Sequence, residues 1–399
     1  MASRSLVLAA VIALGLVSFT ARGSSNDGSR TPTFGYGPYP REARAIGYCK
    51  LYAARLPRYR TCIVENVLAL IVGTHDPADQ LPRIDRYVHS IGGWLEPNCH
   101  VLMHTVGRRY GRLEKVVLSN LLDYLPKTND PGCSAGFAHG LLTYLGPQIV
   151  RLGPKGAAAD CHRAPTRYQR YSCIHGLGHA YARMFLDAID PALASCRALG
   201  PQDAPDCAQG VFHDYWIALS GLDNTKRPVV GVVSSPRVLC GGQAAEYVRP
   251  CWYRAFLERP PSHPVRTAAD ELTVCRGLVD LQRSACVTAA SLISSTDAFE
   301  QLATCSHLRG DDAVGCIRGV RVPDVATAPL SAQLRLIMGC ADVDHDAQRA
   351  CYEWLGKTLN VVSNGAFETV GCPNLLYAAT RTDCVRGARS YEGALETFS

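Results

Sequence analysis

Apolar positions recur along this chain at helical spacing, and they do so around cysteines. Leu334, Leu336 and Ile337 lead into Cys340, while Leu193, Leu272 and Leu302 each stand three residues before Cys196, Cys275 and Cys305. This spacing predicts amphipathic helices. Polar or Pro/Gly-bearing stretches, such as Gly-Pro-Gln-Asp-Ala-Pro at 200–205, separate them and read as turns. The expected unit is a hairpin of about 35 residues, in which one cysteine ends the first helix and the next opens the second. The fold class that follows is all-α: disulfide-stapled helical hairpins stacked as an α-solenoid or irregular helical array.

The N-terminal pattern is different. Arg4 precedes an apolar run at 6–19, and Ala21-Arg22-Gly23 follows it. Residues 1–23 read as a secretory signal peptide, because the run is shorter than the ~20 residues needed to span a bilayer. Residues 24–45 are rich in Ser, Gly, Pro and Tyr and read as a flexible leader. The apolar stretch at 63–72 is broken by Glu65 and Asn66, so no transmembrane span is expected in the mature chain. The rest divides into a histidine-bearing helical region at 46–225 and stapled repeats at 238–399.

The cysteines sharpen this picture. There are 18, and no two are closer than eleven positions. That excludes C-x-x-C redox pairs, zinc ribbons and c-type haem attachment. Even number and density suit an oxidising compartment, so the expected location is secreted or periplasmic. Spacing pairs Cys49 with Cys62, Cys161 with Cys173, Cys196 with Cys207, Cys240 with Cys251, Cys275 with Cys286, Cys305 with Cys316, Cys340 with Cys351, and Cys372 with Cys384. Cys99 and Cys133 are left for each other. Each closed loop of about a dozen residues contributes about 3 kcal/mol in the chain-entropy account. A small residue stands three positions after most second cysteines: Gly136, Gly176, Gly210, Ala289, Gly319 and Gly387. One turn into the second helix, it would let a neighbouring helix come close.

Charge adds little. The net charge is +6, with only 19% of residues charged. The densest basic runs, 108–112 and 163–171, read as solvated faces in an exported chain rather than as a nucleic-acid surface. An extracellular protein or glycan remains a partner class. No N-x-[ST] acceptor occurs.

The repeat layout over roughly 190–399 resembles secreted cysteine-rich Sel1-like (TPR-related) helical repeat proteins. The ten residues between paired cysteines exceed the spacing in that family. The resemblance implies a binding scaffold and supplies no catalytic residues. Cys99-His-x-x-x-His104-x-x-Gly107, His139-Gly140 and His175-Gly-x-Gly-His179-Ala180 also look like a recurrent group of uncharacterised secreted bacterial proteins.

Six of the twelve histidines carry the candidate chemistry. His139, His179 and His213 each follow a cysteine by six positions in a C-x-x-G-x-x-H pattern. On a helix this places cysteine, glycine and histidine on one face. The same offset later holds Leu257, Leu292, Val322, Lys357 and Ser390. His100 and His104, and His175 and His179, are pairs four apart, a spacing with which a helix grips a transition metal. The metal candidates are therefore His100, His104, His139, His175, His179 and His213, with Asp187, Asp190 and Asp214 as supports. An all-nitrogen site suits zinc or copper better than calcium or magnesium.

Two other readings stand beside this one. Equivalent positions on packed helices lie about 8–10 Å apart, which favours separate structural hydrogen bonds over one shared metal. Metal-free acid–base catalysis is the third. His75, His89, His162, His263, His307 and His345 read as surface residues in loops or turns. No H-E-x-x-H, G-x-S-x-G or P-loop occurs, and the paired cysteines leave no thiol nucleophile. Catalytic residues are not assigned. The leading expectation is a metal-binding exported protein, a metalloenzyme if a coordination position stays open. The alternative is a non-catalytic repeat scaffold.

Overall fold

A computed structural model describes residues 39–73, 77–125, 132–220, 235–258, 267–294, 298–320, 330–362 and 367–389. The expected signal peptide, His75, His263, Val322 and Ser390 lie outside the described residues. Among the described residues the chain is helical throughout, with no strand. None of these helices is long and apolar enough to cross a membrane.

The chain begins with α1 (Pro40–Gly47) and α2 (Leu56–Ile71), followed by α3 (Pro77–Ile91) and α4 (Leu95–Leu113). Positions 40–45 of the expected leader are thus helical. Pro40 sits where a helix start needs no backbone N–H, and buried Glu42 is held by Gln80 and Arg83. Next come α5 (Cys133–Tyr144), α6 (Gly146–Leu152), α7 (Pro154–His162) and α8 (Arg167–Met184). The hairpins follow in order: α9 (Ile189–Arg197) with α10 (Ala204–Ser220), then α11 (Pro236–Gly241) with α12 (Ala245–Glu258). They continue with α13 (Ala268–Val274) and α14 (Asp280–Leu292), α15 (Ala298–Cys305) and α16 (Gly310–Arg318), and α17 (Leu330–Asp342) and α18 (His345–Val362). The last helix is α19 (Ala378–Arg389).

All nine disulfides join the cysteines paired above by spacing, with Cα–Cα separations of 5.1 to 5.7 Å. One detail differs from expectation. Where the hairpin is regular, the second cysteine does not open its helix. Cys251, Cys286, Cys316 and Cys351 all lie in the second turn. The connecting turns are therefore shorter than the cysteine spacing suggests, and the bridge ties a helix end to a helix flank.

The second helices form one continuous row. Helix α4 packs on α5, α5 on α8, α8 on α10, α10 on α12, and so on through α14, α16 and α18 to α19. Each first helix lies beside its own partner as an outer layer. One apolar core runs from Ile46 to Ala388, and Tyr168 and Tyr171 form a small second cluster. The row also folds back on itself. The Arg167 guanidinium, at the start of α8, donates to the carbonyls of Ala388 and Arg389 at the end of α19, at 3.1 and 3.5 Å. A cation there complements the carbonyl end of the helix.

Glycine sets the separation within the row. A Cβ on Gly136 would collide with the His100 carbonyl, on Gly210 with the His175 carbonyl, on Gly319 with the Thr288 carbonyl, and on Gly387 with the Glu353 carbonyl. The approach is reciprocal: Gly178 meets Cys207 and Gly356 meets Cys384 in the same way. Backbone lies on backbone at these crossings, which only a missing side chain allows.

This contact makes a signed prediction. On an open helix Gly→Ala gains about 1 kcal/mol. Gly210→Ala should instead lose about 1–3 kcal/mol through overpacking. Gly241→Ala, where a Cβ would meet nothing within 4 Å, is the control and should be neutral or stabilising. Urea unfolding of both variants measures this, and a stabilised Gly210→Ala would refute the backbone contact.

Candidate metal centre

Four members of the row, α4, α5, α8 and α10, bring the six candidate histidines together. Helix α8 is the centre of the group. Its first turn is closed by a capping box, in which Thr166 accepts from the Gln169 N–H at 3.1 Å. Fourteen of its eighteen residues are buried, so it is walled in on nearly every side. Helix α5 is fixed from α3, whose Asp85 carboxylate accepts from the Ser134 N–H at its first turn.

The imidazole rings meet at 4.5 to 5.8 Å between centroids. His104 lies 4.5 Å from His179, 5.0 Å from His100, 5.5 Å from His213 and 5.7 Å from His139. His139 lies 4.7 Å from His175 and 5.1 Å from both His179 and His100. The separation of 8–10 Å expected from ordinary helix packing does not hold here. The glycine crossings bring the backbones closer, and the side chains then converge. His100 and His104 join the group even though they follow their cysteine at different offsets from the other four.

Ligand atoms of His100, His104 and His139 lie within 4.8 Å of one another. The same holds for His104, His179 and His213, and for His139, His175 and His179. Five of the six rings are buried and His100 is half-buried, which makes it the exposed edge of the cluster.

Four rings have an outward partner that leaves one nitrogen facing the cluster. Tyr171 Oη is 2.9 Å from His175 Nδ1. Asp214 Oδ1 accepts from His179 Nδ1 at 3.3 Å and is itself held by Arg183 at 2.6 Å. Glu258 Oε1 accepts from His213 Nε2 at 3.0 Å, with Arg254 beside it. Ser172 Oγ is 3.2 Å from His139 Nε2. Inside the cluster, His175 Nε2 and His179 Nε2 are 3.1 Å apart, and His139 Nδ1 and His100 Nε2 are 3.3 Å apart. His104 differs from the rest: it is buried and neither of its nitrogens has a hydrogen-bond partner. The inward Nδ1 of His213 also has none.

Burial, first of all, holds His104, His139, His175 and His213 well below the usual imidazole range and lowers His179 too. Neighbouring imidazoles and cationic Arg254 push most of them further down, while Asp214 partly restores His179. Neutral imidazole is the form that ligates a metal. Burial also pushes Glu258 up to about 7, and Tyr171 well above its usual range.

Of the expected supports, Asp214 takes part, Asp190 is exposed, and Asp187 is buried after a left-handed turn at the end of α8. Sequence reasoning missed Tyr171, Ser172, Arg254 and Glu258. Tyr171 could have been found, because 171, 175, 179 and 183 form one stripe at intervals of four. Glu258 and Arg254 carry no such signal, being 41 or more residues from any of these histidines. The run at 163–171 is not simply a solvated face, because Tyr168 and Tyr171 are buried. His162 is exposed yet bonded to buried Asp203 at 2.8 Å, and His89 lies on α3 rather than in a loop.

Buried histidines with lowered affinity for protons make stability depend on pH. Below about pH 6.5 the unfolded chain takes up protons that the folded cluster refuses, so stability must fall as pH falls. Each refused proton is worth up to about 1.4 kcal/mol per pH unit. Urea unfolding of metal-free protein should show a clear loss between pH 7.5 and 5.5. Equal stability at the two values would contradict a neutral buried cluster.

No protein-family model, curated protein or solved structure matches this chain, so the site is read from its own geometry. That geometry is compatible with a metal site or with a histidine-rich scaffold core.

Proposed function

We propose that the chain is an exported transition-metal-binding protein and that the six imidazoles are its site. The observation that carries this reading is His104. A buried imidazole with two unpartnered nitrogens, ringed by four others, has unmet electrostatic demand worth about 1–3 kcal/mol per nitrogen. A metal ion meets that demand at the lone-pair nitrogen, and a void meets it at neither. The outward hydrogen bonds of His139, His175, His179 and His213 fit the same reading, since bonds of this kind fix tautomer and ring orientation in metal sites. The donor set is all nitrogen, which suits zinc or copper. Three imidazoles around an ion leave a position for water or substrate. Half-buried His100 marks the side from which either would enter, and a metalloenzyme is the active form of this proposal.

A second reading has its own support. The separations of 3.1 and 3.3 Å between imidazole nitrogens are also hydrogen-bond distances. A metal-free histidine core would then stabilise a scaffold whose outer layer binds an extracellular protein or glycan.

Elemental analysis of the oxidised chain, purified without an affinity tag, separates the two. The metal reading expects stoichiometric zinc or copper and a rise in Tm when either is added back. At a thousandfold excess over Kd the gain is about 4 kcal/mol. No bound metal and no shift would leave the scaffold. His104→Leu gives opposite signs in two assays. Metal affinity should fall tenfold or more, while the metal-free protein should become more stable by about 1–3 kcal/mol as the unmet polar group goes. A loss of metal-free stability would instead make His104 a structural residue.

A further inference from the structure

We infer that the cluster holds one ion on His104, His179 and His213, and that His175 is a cap on His179 which the ion displaces; this rests on the metal reading above. The first observation is how the ligand sets overlap. His104, His139 and His179 each belong to two of the three sets whose ligand atoms lie within 4.8 Å. A neutral imidazole has one lone pair. Filling any one set therefore takes a ring from each of the others, and one ion is bound at a time.

The second observation is which nitrogens are already engaged. In the set of His139, His175 and His179, all three rings are bonded at both nitrogens. In the set of His100, His104 and His139, two rings are bonded to each other and His104 stands open. In the set of His104, His179 and His213, two rings stand open: both nitrogens of His104 and the inward Nδ1 of His213 have no hydrogen-bond partner. Every buried, unpartnered imidazole nitrogen among the described residues belongs to this one set. Two of its rings are also oriented from behind by carboxylates, Asp214 at His179 and Glu258 at His213. A carboxylate in that position raises the basicity of a ligating imidazole.

Proton positions then assign His175. The Asp214 carboxylate, beside Arg183, can only accept, so the His179 proton is on Nδ1 and its lone pair is on Nε2. His175 Nε2, 3.1 Å away, is therefore the donor in that bond. The other His175 nitrogen, Nδ1, carries the lone pair and accepts from the Tyr171 hydroxyl at 2.9 Å. One directed chain results: Tyr171 O–H to His175 Nδ1, His175 Nε2–H to His179 Nε2, and His179 Nδ1–H to Asp214. All four groups are buried, so these bonds are shielded from solvent.

The lone pair that His179 would give a metal is thus held by a proton of His175. His175 turns an N–H toward the cluster, so it blocks the third ligand rather than adding a fourth. An ion entering the set must break the bond between His175 and His179 and leave the His175 N–H without its acceptor. Tyr171 decides how firmly the cap is held, because its hydroxyl keeps the His175 proton on Nε2. Without that hydroxyl the proton can move to Nδ1, and His179 is released.

The test titrates the oxidised, metal-free full chain with zinc chloride, and in parallel with cupric chloride, against a chromophoric chelator. One ion per chain is expected, with X-ray absorption showing about three imidazoles around it. For the tighter metal, His213→Leu should lower affinity about tenfold or more. Tyr171→Phe and His175→Leu should instead raise it, by about two- to tenfold, since the ion no longer has to break a hydrogen bond. A ligand role for His175 gives the opposite sign in both, because removing a ligand or its outward partner weakens a site about tenfold or more. Where His175→Leu fails to fold, the sign in Tyr171→Phe decides. Two ions per chain, an unchanged affinity in His213→Leu, or an unchanged or lower affinity in Tyr171→Phe would overturn the assignment while leaving the metal reading in place. A chain that takes up neither zinc nor copper would remove the metal reading itself.

Discussion

The structure depends on helices crossing with backbone against backbone. At Gly136, Gly178, Gly210, Gly319, Gly356 and Gly387 a neighbouring carbonyl occupies the space a side chain would need. Packing through ordinary side chains would hold the axes about 8–10 Å apart. With that separation, histidines on four helices would each find a local partner. With the glycine crossings they have no room to do so, and they meet one another instead. The same residue that shapes the repeat therefore creates the cluster. The disulfides act on a different scale, tying each outer helix to its row helix and limiting how far the unfolded chain can spread.

The cluster is an expensive thing to bury. Five imidazoles are withdrawn from water and kept neutral, and His104 has both nitrogens unmet. The surroundings offset this at four of the six rings. Tyr171, Ser172, Asp214 and Glu258 orient them, and Arg183 and Arg254 hold the two carboxylates in turn. A core selected for stability alone would place leucine at these positions. The later repeats do so at Leu257 and Leu292, where the same offset from the cysteine holds an aliphatic side chain. The contrast within one chain separates what the repeat requires from what the first four row helices add to it.

The repeat itself was open to reading from the sequence. Cysteine spacing gave the pairing, helical periodicity the hairpins, and the glycine three residues after a cysteine the crossing point. Each is a local pattern with one dominant physical cause. Local patterns were less reliable at the edges. Residues 40–45 looked like leader but form a helix, because Pro40 begins a helix whose stability comes from distant Gln80 and Arg83. Tyr168 and Tyr171 looked solvated beside arginines, but burial is decided by the helices packed against α8.

What the sequence alone determined is an all-helical stapled array and a short roster of histidines on the faces that meet neighbours. Those features follow from intervals of three, four, six and eleven residues, which a helix and a disulfide turn directly into geometry. Only the tertiary structure decided that the six rings share one space and that Glu258 and Arg254 stand beside them. Those relations span 34 to 113 residues between histidines on different helices. They are set by how closely the backbones approach, a distance that the missing side chain of a glycine permits but its position in the sequence does not state.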